Sequence, residues 1–266
     1  MEVSVLIPLY NAAPTLKGVL ADLKAQTLRR RETVFVDDGS TDSTAEILAA
    51  AGRADPTIRV AYVAHGGIPK ALQTGLALCR APVVVRMDAS VAFRRELPAR
   101  YGGYRDGPFP EDYELWLRLI EHGVRMEKLP QTLLCWNDPP HRLSRTDTRY
   151  LPDAFFAAKA PFLARETERL RGKRPIWLWG AGRRTRRRMR HLEEHGCRPA
   201  GYVDVDPKKL RSVLPGNRPV IGPADLPPPR EAFVLGCVGK RGAREHIRAS
   251  LAGRGYREGV DFLMCA

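Results

Sequence analysis

The stretch Val34-Phe-Val-Asp-Asp-Gly-Ser-Thr-Asp42 constrains this chain most, because an apolar run stops abruptly at two carboxylates, a glycine and small hydroxyl residues. Such a run reads as a buried parallel strand, and the polar turn at its carboxyl end is where open α/β sheets place a ligand. With a helix expected from residue 43, the stretch predicts a binding edge. A capped strand-to-helix turn accounts for the same residues, since Asp and Ser suit any helix start. Other motifs must decide between the two.

Around this edge, strand and helix patterns alternate. Apolar runs at 3–9, 33–36, 58–63 and 81–88 read as strands, and 12–26, 43–51 and 68–79 as helices, with Leu16, Val19, Leu20 and Leu23 at helical spacing in the first. That alternation predicts a mostly parallel sheet with helices on its faces. Residues 89–110 show no clean period. A helix is expected over 111–121, a strand over 125–136, a polar loop over 137–150 and a helix over 155–170. Arg171-Gly-Lys-Arg-Pro175 then separates two periodic patterns, so the expected division is a first domain at 1–150, a helical linker at 151–172 and a second domain at 173–266.

The second domain opens with the strand Ile176-Trp-Leu-Trp179, runs into Gly180-Ala-Gly182, continues as a helix over 183–195 and returns as a strand ending at Asp204. Strand, glycine turn, helix and strand ending in Asp form the layout of a dinucleotide-type βαβ unit. Gly180 and Gly182 let the backbone approach a pyrophosphate at the helix start, and Asp204 falls where a ribose is hydrogen-bonded. Thr185 stands in place of the third glycine. Six arginines fall between Arg183 and Arg190, and helical spacing turns half of them to solvent whatever they bind.

Charge and cysteines narrow the class. The 266 residues are 44% apolar, enough to bury real cores, and 44 Lys and Arg against 30 Asp and Glu give a net charge of +14. The excess favours an anionic partner or simply spreads over solvated faces. No nucleic-acid reading motif accompanies it, so nucleic acid is not an expected partner. Cys79, Cys135, Cys197, Cys237 and Cys265 form no CxxC pair, which points to a reducing compartment without a disulfide framework. No run reaches the length of a membrane span, and the expectation is a cytoplasmic protein, at most peripheral to the inner membrane face.

Taken together, Val3-Ser-Val-Leu-Ile-Pro-Leu-Tyr-Asn11, Val36-Asp-Asp-Gly-Ser-Thr-Asp42, Val84-Val-Arg-Met-Asp-Ala-Ser90 and Phe109-Pro-Glu-Asp-Tyr-Glu-Leu-Trp-Leu-Arg118 resemble the family-two glycosyltransferases, inverting nucleotide-sugar enzymes of the GT-A fold. The fold class implied is α/β: a shortened GT-A domain followed by a Rossmann-like domain similar to a module appended to some bacterial glycosyltransferases. The resemblance implies transfer of a sugar from a nucleotide diphosphate to an acceptor hydroxyl of a glycan or lipid-linked glycan, in the synthesis of cell-surface polysaccharide or glycoconjugates. It implies donor contacts at Pro8, Tyr10, Asp37, Asp38, Lys70, Arg86 and Asp88, a Mn2+ or Mg2+ ion on Asp88, and Asp112 as general base. His141 and Arg142 resemble a loop that closes over the diphosphate. Two acids at a helix start also stabilise its dipole with no catalytic role.

The resemblance breaks at one place. The family's Asp-x-Asp has Ser90 at its last position, and a neutral hydroxyl is a weak ligand for a hard cation. Several dozen residues that separate this motif from the acceptor-side segment in relatives are missing here. Two alternatives follow: a nucleotide or nucleotide-sugar binding protein without turnover, and an NAD(P)-dependent oxidoreductase using a dinucleotide at Gly180 and Gly182.

Overall fold

A computed structural model describes residues 1–87, 90–131 and 143–265. It divides into two compact units, Met1–Tyr150 and Leu151–Ala266.

The first unit is built on a five-stranded sheet. Its elements are β1 (Val3–Leu9), α1 (Ala13–Ala25), β2 (Arg31–Asp37), α2 (Thr44–Ala54), β3 (Ile58–Tyr62), α3 (Ile68–Leu78), β4 (Val83–Arg86), β5 (Val91–Arg94), α4 (Glu96–Arg100), α5 (Glu111–Glu121) and the short α6 (Leu143–Thr146). The strand order is β3-β2-β1-β4-β5, parallel except for β5, which runs antiparallel to β4. Alternate side chains serve the two faces. Leu6, Val34, Val36 and Val84 pack with Leu72 of α3 and Leu115 and Leu119 of α5, while Val5, Ile7 and Phe35 pack with Leu16 and Leu23 of α1 and Leu48 of α2. The order reverses between β1 and β4, so the crevice of the open sheet lies at their carboxyl ends.

Three expectations change in this unit, the first being that the described part of the loop expected over 137–150 contains α6 and a 3-10 turn at Thr148–Tyr150. Residues 89–110, aperiodic in sequence, contain β5 and α4, because a four-residue strand and a five-residue helix are too short to show a period. The strand expected over 125–136 does not form among its described residues, where 125–131 carry no regular structure; the remainder lies outside them.

The second unit consists of α7 (Pro152–Arg171), β6 (Ile176–Trp179), α8 (Arg183–Glu194), β7 (Pro199–Val203), β8 (Val213–Leu214), β9 (Arg218–Ile221), β10 (Phe233–Gly236), α9 (Ala243–Ala252) and β11 (Phe262–Met264). Its sheet runs β11-β10-β6-β7-β9-β8, all parallel but β8. One face carries Ile176, Leu178, Phe233 and Leu235 against α7 and α8, and the other Trp179, Val203 and Val234 against Ile247 and Leu251 of α9. The helix expected as a linker is instead α7 of this unit. Its Ala160 and Ala164 are buried in the same core as β6, since the small side chains let the helix close onto the sheet.

Candidate functional site

The carboxyl edge of the first sheet is assembled from two loops stitched together. After β1, Asn11 takes a left-handed conformation at φ 49°. Its Oδ1 accepts the amide of Thr41 at 2.8 Å, and its own amide donates to Ser40 Oγ at 2.9 Å. The Ala12 amide donates to Thr44 Oγ1 at 2.8 Å and the Ala13 amide to Asp42 Oδ2 at 3.1 Å. Asp42 also accepts the amide of Thr44, the first residue of α2, at 3.0 Å. The Thr44 hydroxyl, with the surrounding amides, holds its carboxyl below the usual range. The sequence Asp-Gly-Ser-Thr-Asp therefore acts largely by fixing its own loop against the first one.

Asp37 and Asp38, adjacent in sequence, have different surroundings. Asp37 is buried and accepts the Ser40 amide at 3.1 Å on Oδ1. Asp38 spends both oxygens on the turn before α3, accepting the Gly66 amide at 2.9 Å and the Gly67 amide at 2.8 Å. Gly39 makes that closure possible. It sits at φ +73°, and a Cβ there would lie 2.7 Å from the His65 amide nitrogen.

His65, in the turn before α3, faces this carboxylate with Nδ1 at 3.0 Å from Asp38 Oδ2 and stacks on the exposed ring of Tyr10 at 4.3 Å between centroids. The His-Gly-Gly run before a helix was the available signal. Lys70 is exposed in the first turn of α3, with its side chain over Gly66, and Pro8 lies partly exposed in β1 opposite Val36. Pro8, Tyr10, Asp37, Asp38 and Lys70 thus lie on β1, β2, α3 and the loops at this edge.

Arg86 is not open to a donor. Its side chain is 2% exposed and donates to Glu111 Oε1 at 2.7 Å, with the Tyr104 ring 5.2 Å away. A guanidinium with this little access to water needs a carboxylate beside it, and Glu111, equally buried, supplies it. The pair docks the first turn of α5 against the end of β4. Asp112, the next residue, is partly exposed there and accepts the Tyr113 amide at 2.7 Å. Further along α5, Glu114 and Arg118 form a second buried pair at 2.7 and 2.8 Å, and Arg118 also reaches the carbonyls of Tyr101 and Gly103.

Asp88, His141 and Arg142 lie outside the described residues. The described end of the metal motif is Ser90, exposed and at φ 51°, whose amide donates to Met87 O at 3.3 Å. Arg86 pairs with Val91 across β4 and β5, so β5 starts directly after Ser90 and runs back along β4. Among the described residues no three His, Cys, Asp or Glu side chains gather as a metal site.

In the second unit, Gly180 has φ +116°, and a Cβ there would meet Val238 at 2.7 Å. A side chain at Gly182 would meet nothing within 4 Å. Thr185 occupies the third glycine position with its hydroxyl 3.4 Å from Cys237 O. Asp204 differs from a free ribose ligand. It accepts the Ala181 amide at 2.9 Å and the Asp206 amide at 3.0 Å, and Lys209 Nζ lies 3.2 Å from Oδ2.

Burial pushes the Asp204 carboxyl up, but these amides and Lys209 outweigh it and hold it below the usual range. Stability from a depressed carboxylate is fully present above the unfolded value, about 3.9, and is lost as pH falls through the folded one. The stability gap between the parent chain and Asp204→Asn is therefore expected to shrink as pH is lowered from 6 to 3, measured by thermal melts. A gap independent of pH would contradict the assignment.

An open, mostly parallel α/β sheet with carboxylates and an acid-bearing helix at its switch point has the layout of a ligand-binding α/β domain. Residues 4–97 match the sequence profile of Glycosyl transferase family 2. Over 94 residues it is 39% identical to the undecaprenyl-phosphate 4-deoxy-4-formamido-L-arabinose transferase of Pseudomonas fluorescens, covering 34% of this chain and 28% of that protein. Over 86 residues it is 34% identical to the uncharacterized glycosyltransferase EpsJ of Bacillus subtilis, covering 32% and 25%. The matched stretch thus spans little more than a quarter of these relatives.

Among solved structures, the mannosyltransferase PcManGT from Pyrobaculum calidifontis, in complex with GDP-Man and Mn2+, is 20% identical with a TM-score of 0.46, covering 74% of this chain and 69% of that one. S. aureus TarS in complex with UDP-GlcNAc is 29% identical with a TM-score of 0.31, covering 32% and 26%. No helix among the described residues is long and apolar enough to cross a membrane.

Proposed function

We propose that the first unit binds a nucleotide diphosphate sugar along the carboxyl edge of its sheet and transfers the sugar, with inversion, to an acceptor hydroxyl of a glycan or lipid-linked glycan. The observation that carries this reading is the docking of α5 on β4 through Arg86 and Glu111, which brings Asp112 to the strand edge and leaves it partly exposed. Asp37, with Tyr10 and His65, forms the nucleoside side. Asp112 takes the hydroxyl proton as the acceptor oxygen bonds to the anomeric carbon and the bond to the nucleoside diphosphate breaks on the opposite side. The electron pair leaves with the diphosphate.

The described residues do not fit an Asp-x-Asp metal clamp, because the last position offers only the Ser90 hydroxyl. Mn2+ or Mg2+ on Asp88 therefore enters only as a variable of the assay. The same observation supports a second reading, a nucleotide-sugar binding protein without turnover. The second unit is read as an accessory Rossmann-like domain. Its Asp204 is committed to two amides and Lys209, which speaks against the dinucleotide oxidoreductase alternative.

A panel of UDP- and GDP-hexoses, with and without Mn2+ or Mg2+, separates the readings. Transfer, or release of nucleoside diphosphate to water, is expected for at least one donor. Calorimetric binding without release would support the second reading, and neither binding nor release would remove both.

A further inference from the structure

The two acids opening α5 have opposite surroundings, and the buried one is gripped from both sides. Glu111 is 1% exposed; its Oε1 accepts from Arg86 at 2.7 Å and its Oε2 from the Tyr150 hydroxyl at 2.7 Å. These donors come from segments 25 and 39 residues away, the end of β4 and the turn that closes the unit. That turn is itself folded by Asp147, which accepts Arg149 Nε at 2.9 Å, its Nη2 at 2.7 Å and its amide at 2.8 Å. Arg149 reaches on to Asp106 Oδ1 at 3.4 Å. Burial, then the charge of Glu111 and more weakly that of Asp112, push the Tyr150 hydroxyl up, so it stays a donor.

One residue along a helix is a rotation of about 100°. Fixing Glu111 from two directions therefore fixes the direction in which Asp112 projects. A single bond would leave the first helical turn free to roll or fray, since its amides lack helical partners.

Resting on the transferase reading of Asp112, we infer that Glu111 and Tyr150 are positioning residues: they clamp the first turn of α5 between β4 and the 147–150 turn and so hold the base in its working orientation. The role differs from ordinary core packing in what it predicts. Tyr150→Phe keeps the ring and removes one hydroxyl, so a packing role would leave the rate unchanged, whereas a clamp role lowers kcat with little change in donor KM.

The test uses the full chain with the donor identified in the panel above, and compares Tyr150→Phe, Glu111→Gln and the double variant. Tyr150→Phe is expected to lower kcat about tenfold, with donor KM within about twofold. Glu111→Gln should lose more, and the double variant no more than Glu111→Gln alone, because both changes release one clamp. An unchanged kcat for Tyr150→Phe, or losses that multiply in the double variant, would overturn the inference.

If the parent chain turns over no donor, the transferase reading fails on that result alone. The clamp is then read from amide exchange at residues 114–116, expected to quicken about fivefold in Tyr150→Phe. Unchanged exchange there would remove it.

Discussion

Replacing Asp112 with Asn is expected to lower the transfer rate by about 10²–10⁴-fold, the usual contribution of a positioned general base. The change is nearly isosteric. The new amide oxygen can still accept the Tyr113 amide that now bonds Asp112 at 2.7 Å, and the neighbouring Glu111 keeps both its partners. Helix placement and donor binding should therefore survive while the capacity to take a proton is lost. The decisive comparison is kcat against the dissociation constant for the donor nucleotide by calorimetry. A fall in kcat at constant donor affinity supports the base role. An Asn variant as fast as the parent would leave Asp112 with only a helix-terminus role, stabilising the dipole of α5.

Arg118→Ala should destabilise the first unit by about 3–5 kcal/mol, the cost of breaking a buried pair from one side. The guanidinium holds both oxygens of Glu114 and the carbonyls of Tyr101 and Gly103, and both partners of the pair are nearly inaccessible. Removing it leaves a buried carboxylate whose remaining ionic contact among the described residues is the more exposed Arg105 at 3.5 Å. Replacing both partners together, as Glu114→Leu with Arg118→Met, should be milder than Arg118→Ala alone, because no uncompensated charge remains. Urea unfolding followed on the first unit measures this. Equal losses in the single and double variants would show that packing, and not charge, dominates at this site.

Much of the fold was legible because its signals are local. Four apolar runs of the first half became parallel strands, and the helices between them lie within a few residues of their periodic patterns. The strand end at Asp37 was readable from an apolar run that stops abruptly at two carboxylates. β5 and α4 were not readable, being shorter than any period needs. The helix at α7 was legible as a helix but not as part of the second core, since a run of Ala and Phe does not reveal which surface it will cover.

The candidate site was legible in its residue types and not in their partners. Sequence offered Asp37 and Asp38, Glu111 and Asp112, and Arg86 and Lys70 as chemically similar choices. The fold separates them: Asp38 goes to the Gly66 and Gly67 amides, Glu111 to Arg86 and Tyr150, and Asp204 to Lys209, while Asp112 and Lys70 stay at least partly exposed.

The alternation of strands and helices and the abrupt end of β2 at two carboxylates could be read from the chain alone, because each depends on neighbouring residues. Which of the two acids of α5 is buried and which stays partly exposed came only from the folded chain. Burial and pairing are set by residues 25 or 39 positions away that the folded sheet brings within 2.7 Å of one carboxylate.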